Sequence, residues 1–224
     1  MSGTFYSRRP AELVDLAGMG RPKRASRGGL VYHVLNRANA RMPIFEKDED
    51  YEAFERILAE GLDRYEIQLF ALQLMPNHWH IVLRPNHDGE MSRFMRWITA
   101  THTMRYHAHY HSSGEGHVYQ GRFKSFPIQE DDRFFTVCRY VERNALRARL
   151  VKRAEDWRWG SLWRWLQKSE PAPSLLSSWP IPRLPRWVER VNAPFTDHEL
   201  TAIRKCVQRG SPFGEPTWIE STAR

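Results

Sequence analysis

The residues from Met75 to Pro85 read MPNHWHIVLRP, and in a strand they would place His78 and His80 on one face and Trp79, Ile81 and Leu83 on the other. Two imidazoles at i and i+2 can share one divalent ion, with coordination positions left for a third ligand from elsewhere in the chain. The same spacing also fits two solvent-facing histidines on a half-exposed strand. A second candidate lies in RFFTVCRYVERNALRARLV, beginning at Arg133. At roughly 100° per residue, Tyr140 and Asn144 stand one turn apart beside the apolar stripe of Phe134, Val137, Cys138 and Val141, together with Arg133 and Arg147. The pattern predicts a phenol outside the core and next to an amide. A phenol can attack a phosphate that something else has activated, although a boundary tyrosine on an amphipathic helix has the same pattern.

The elements that would hold these residues are legible in the periodicity. Leu30 to Leu35 (LVYHVL) is a strand, and Asp48 to Leu62 is a helix whose N-terminus follows an acidic cluster. Ile67 to Met75 and His78 to Leu83 are strands joined tightly through Pro76 and Asn77. A second helix opens with Met91, Phe94, Met95 and Ile98, runs toward Tyr110 and breaks at Ser112 to Gly116. Arg122 to Ile128 is a strand, with Pro127 marking its end or a sheet edge, and a single helix is expected from Asp131 to Leu150. The order βαββαβ plus a helix is the ferredoxin-like α+β topology, an antiparallel sheet with two helices on one face and a further C-terminal helix. Four segments are expected: a basic N-terminal arm (1–28), the main domain (29–166), a Pro/Ser-rich linker (167–186) and a small helical tail (187–224) whose helix spans Asp197 to Gln208.

Composition narrows the partners. The 224 residues carry 34 Lys and Arg against 26 Asp and Glu, a net +8 that favours a polyanion, with nucleic acid first. A hydrophobic share of 41% rules out disorder over the whole chain. Cys138 and Cys206 are too few for a disulfide scaffold and lack zinc-finger spacing. No apolar run is long enough to span a bilayer and no signal-peptide core opens the chain, so a cytoplasmic protein with no membrane partner is expected. Charge is also sided. Residues 139–153 hold six cations against Glu142, for +5, while residues 46–60 hold seven acids against Lys47 and Arg56, for −5 and a face turned from DNA. HVYQGRFK, from His117 to Lys124, mixes aromatics and cations as single-strand binding sites do, and equally as a packed edge strand does.

The motif PNHWHIVL, the later YVERNALRA from Tyr140, and DWRWGS from Asp156 to Ser161 together resemble the single-tyrosine HUH transposases, and within them the REP-associated tyrosine transposases. The resemblance runs from Gly20 to Trp165, and RGSPFGEPTW near the C-terminus is similar to a long-tailed subset. It implies an HUH endonuclease core in which His78, His80 and Asn144 bind Mg²⁺ or Mn²⁺ and Tyr140 is the nucleophile. The substrate it implies is single-stranded DNA carrying palindromic hairpins, cleaved and rejoined through a 5′-phosphotyrosine. Arg21, Lys23, Arg24, Arg37, Arg122, Lys124, Arg143, Arg147 and Arg149 are the cations expected on DNA, and the chain is expected as a monomer or homodimer. A hairpin-binding protein of the host that mobilises nothing is the alternative. The full set of His78, His80, Tyr140 and Asn144 favours chemistry, because a pure binder does not need all four together.

Overall fold

The computed structural model describes residues 26–169 and 171–222. Its sheet has four strands, β1 (Val31–Arg37), β2 (Ile67–Met75), β3 (His78–Pro85) and β4 (Lys124–Ile128), in the order β2-β3-β1-β4 with every neighbour antiparallel. With α1 (Asp48–Arg64) after β1 and α2 (Glu90–Tyr110) after β3, this is the ferredoxin-like arrangement expected. Asp50 in the first turn of α1 accepts the Glu46 and Lys47 amides at 2.9 and 3.2 Å, occupying donors that the helix end leaves over. Gly61 lets α1 approach α2 closely: a Cβ there would stand 2.8 Å from both Phe94 and Ile98.

The two faces of the sheet bury separate cores. Trp79, Ile81, Leu83, Leu72 and Leu74 pack beneath α1 and α2, while Val31, Phe70, Val82 and Phe126 meet α3 (Asp132–Glu142). Asp131 caps α3 by accepting the Arg133 amide at 2.8 Å. The single helix expected through Leu150 is broken: α3 stops at Glu142 and a short α4 (Asn144–Arg147) follows Arg143. Arg149 then takes a left-handed φ of 60°, which ends the helical run.

Both chain segments beyond the sheet are more integrated than their composition suggests. Residues 167–186, expected as a linker, follow the edge of β2, where Ser177 donates its amide to Leu69, Trp179 donates its indole N–H to the Phe70 carbonyl at 2.8 Å, and Leu175 is buried. Upstream, Leu74 donates to the Trp159 carbonyl and Gln73 forms an isolated bridge with Gly160, so the exposed edge of β2 is covered. A Cβ on Gly160 would collide with the Gln73 amide, which explains the glycine in DWRWGS. The short α5 (Ser161–Trp165) comes next. Among its described residues the tail has three helices, α6 (Trp187–Asn192), α7 (Asp197–Arg209) and α8 (Pro216–Thr222), where one was expected. It is no separate appendix: Trp187, Val191, Ile203 and Cys206 complete the core under α3.

Candidate active site

Alternation along β3 turns His78 and His80 toward α3 and sends Trp79, Ile81 and Leu83 into the opposite core, as their spacing predicts. The His78 and His80 rings are 5.1 Å apart and nearly perpendicular. His78 donates from Nδ1 to the Asn77 Oδ1 at 2.6 Å, which leaves its Nε2 lone pair free to ligate. His80 Nδ1 lies 2.9 Å from His33 Nε2, so its Nε2 is likewise the nitrogen left over. Burial, followed by the charges of Arg37 and Arg147, lowers the His78 pKa to about 4. His80 is held well below the usual imidazole value, again mainly by burial, and His33 is lowered to about 3 by burial alone. All three rings are therefore neutral at pH 7, the form that ligates a metal.

Tyr140 comes from the last turn of α3, its ring centroid 5.9 Å from that of His80 and 6.2 Å from that of His33, edge-on to both. It is not outside the core as its place on the helix predicts, for only 6% of it is exposed. The helical wheel is right about α3 itself, but the sheet histidines stand on one side of the ring and Phe195 of the tail on the other at 6.4 Å. The Arg147 guanidinium lies over the ring, 4.8 Å from its centroid, and also donates to Asn144 Oδ1 at 2.5 Å. Asn144 is 2% exposed, and its Nδ2 has no hydrogen-bond partner among the described residues. Arg147 thus ties the Tyr140 phenol and the Asn144 amide together, and its charge reaches both histidines.

These donors fit a divalent ion. Two neutral imidazoles and the second lone pair of the buried Asn144 Oδ1, whose first takes the Arg147 guanidinium, make a partial ligand set, and DNA phosphate or water oxygens would fill the rest around Mn²⁺ or Mg²⁺. Among the described residues no group of three or more His, Cys, Asp or Glu is placed to hold a metal.

The cations expected on DNA divide. Arg21, Lys23 and Arg24 lie outside the described residues. Arg37 ends β1 opposite His78, and Lys124 pairs with Leu35 on the same side of the sheet as Phe126, so both flank the imidazoles. Arg122, Lys124, Arg147 and Arg149 are exposed. Arg143 is turned elsewhere: its guanidinium donates to the Val191 and Asn192 carbonyls of the tail. In HVYQGRFK the aromatics belong to the packed alternative, since Tyr119 and Phe123 are buried and Tyr119 accepts the Trp79 indole N–H at 3.1 Å.

Three features escaped the sequence reading. His33 interrupts the apolar run VYHVL, and a polar residue inside a strand buried on both faces is the signal that could have marked it. Glu142 is wholly buried, accepting Ser161 Oγ and the Trp187 indole N–H at 2.7 Å each, so it binds DWRWGS and the tail to α3. An acid beside the stripe residue Val141 was its trace. The tail's hold on Arg139, through Glu199 at 3.1 Å and the Phe195 ring at 3.9 Å, had no legible signal.

No curated protein matches the chain. Among solved structures, that of a REP-associated tyrosine transposase bound to a REP hairpin is similar over 74% of this chain and 99% of its own, with a TM-score of 0.54 and 19% identity, which speaks for a shared fold. A candidate transposase from Deinococcus radiodurans is similar over 55% of this chain and 94% of its own, with a TM-score of 0.37 and 20% identity. The sequence model of the family described as "Transposase IS200 like" matches residues 26–144, from the start of the described chain through β1, the paired histidines of β3 and Tyr140 to Asn144. With more than half of its length inside that match, the chain belongs to the IS200-like transposase family.

Proposed function

We propose that this transposase cleaves and rejoins single-stranded DNA beside palindromic hairpins, as a REP-associated tyrosine transposase, with Tyr140 as nucleophile. The observation that carries this is a run of contacts, with Tyr140 edge-on to His80, Arg147 over the Tyr140 ring and the same guanidinium on Asn144 Oδ1. Tyr140 Oη forms the new bond to phosphorus and loses its proton to water. The O3′ bond breaks, and O3′ leaves with the electron pair to become a 3′-hydroxyl, so the DNA 5′ end stays on the protein as a phosphotyrosine. A second 3′-hydroxyl reverses the step without ATP. His78, His80 and Asn144 would hold Mg²⁺ or Mn²⁺, whose charge polarises the phosphate oxygen and offsets the charge developing on it. Arg37, Lys124, Arg147 and Arg149 bind the DNA backbone around that point.

A binding-only hairpin protein is the second reading, and the low exposure of Tyr140 is the observation that favours it. One experiment separates them. A 3′-end-labelled hairpin oligonucleotide with single-stranded flanks is incubated with protein and MnCl₂ and resolved under denaturing conditions. The transposase reading requires a labelled covalent adduct that Tyr140→Phe abolishes while hairpin binding stays nearly intact. Absence of any adduct favours the binder, and an adduct that persists in Tyr140→Phe excludes Tyr140.

A further inference from the structure

His33 has no part in the ligand set above, yet it is wholly buried, and its ring lies nearly parallel to that of His80, with centroids 5.1 Å apart and 20° between planes. Its Nε2 is 2.9 Å from His80 Nδ1, and its own Nδ1 has no hydrogen-bond partner among the described residues. Two neutral imidazoles joined nitrogen to nitrogen share one proton across the contact, so only two arrangements exist. If His33 donates from Nε2, His80 carries its proton on the outer Nε2 and has no lone pair to offer an ion. If His80 donates from Nδ1, its Nε2 is free to ligate, and the His33 proton sits on Nδ1.

We propose that His33 is a positioning residue for the metal site: in the cation-bound protein it accepts the Nδ1 proton of His80 and so presents His80 Nε2 to the ion. The inference rests on the metal-site reading above. Several features of the pocket confine the role to His33. The Phe126 ring, 5.0 Å away, and the edge of Tyr140 enclose it, leaving His80 as its one polar partner among the described residues. His78 has an equivalent second partner in Asn77 Oδ1, which can only accept. Both ligating rings would then be oriented by an acceptor at Nδ1, the arrangement metal-binding histidines use to fix their tautomer.

The test uses the full chain and MnCl₂ alone, with free Mn²⁺ counted by electron paramagnetic resonance. His33→Leu removes the acceptor, and His33→Gln restores one, because its amide oxygen can take the same proton. The expected result is an Mn²⁺ affinity about 10–100-fold weaker in His33→Leu, regained to within a few-fold in His33→Gln. Equal Mn²⁺ affinity in folded His33→Leu and wild type overturns the role of His33. Should His33→Leu fail to fold, ¹⁵N spectra of the wild-type imidazoles with saturating Mg²⁺ decide the matter. Protonation of His80 at Nδ1 sustains the proposal, and protonation at Nε2 overturns it. Wild-type protein that binds no Mn²⁺ overturns the metal reading itself, and this inference with it, a result distinct from unchanged binding in the variant.

Discussion

The carboxylate of Glu142 accepts the indole N–H of Trp187 at 2.7 Å, a bond that reaches from the end of α3 to the first residue of α6. Its other oxygen accepts Ser161 Oγ, so one buried acid fastens both C-terminal segments to the helix that carries Tyr140. Burial raises its pKa, opposed by Arg183 and these two donors. Trp187→Phe keeps most of the ring, deletes one donor and leaves a buried acceptor unpaired. It should lower stability by about 1–3 kcal/mol in urea denaturation. An unchanged midpoint would mean that the bond is not made in solution.

Trp79 is wholly buried in the core opposite the histidines, its N–H on Tyr119 Oη. Trp79→Ala should therefore cost about 3–5 kcal/mol, measured by the same denaturation. Loss of metal binding without loss of stability would place the ring on the wrong side of the sheet.

His102 tests the pH dependence away from the paired histidines of β3. Burial lowers its pKa to about 4, and Nδ1 accepts the Tyr119 hydroxyl at 2.8 Å. Unfolded histidine titrates near 6.5, so between pH 6.5 and 4 the unfolded chain binds a proton that the folded one refuses. Stability should fall as pH drops through that window, this residue contributing at most about 1.4 kcal/mol per pH unit. His102→Gln should flatten that part of the curve. A variant with the wild-type slope would show that His102 takes up its proton in the folded state.

Arg147 and Arg149 offer a charge test of DNA docking. Each cation withdrawn from a phosphate lowers the slope of log K against log[salt] by about 0.7 for single strands. Arg147→Gln with Arg149→Gln should flatten the slope by about 1–1.5 units and weaken all sequences alike, read from titrations at several salt concentrations. An unchanged slope would put the DNA on another face.

The sheet, its helices and the two-faced use of β3 were legible because local periodicity dictates them, and Trp79, His80 and Ile81 fall where alternation puts them. Tyr140 and Asn144 were legible as a pair. What failed were the statements that depended on the C-terminal chain packing back onto α3 and β2. The burial of Tyr140 needs Phe195, and the break at Arg143 coincides with tail carbonyls that a helical wheel cannot foresee. The Pro/Ser stretch looked like a spacer because its composition says nothing about Trp179 finding the Phe70 carbonyl. Long-range pairings of this kind leave no periodic trace in sequence.

The family match ends at Asn144, but the hydrophobic interior beneath α3 does not close until Cys206. What is shared by descent and what must fold together are therefore units of different length in this protein. A chain cut after residue 166 would keep every proposed catalytic side chain and still lay bare the underside of α3, with Glu142 deprived of Trp187 and Phe134 of Trp179. Such a fragment would be expected to aggregate before it could be assayed, so its silence would say nothing about the chemistry of Tyr140.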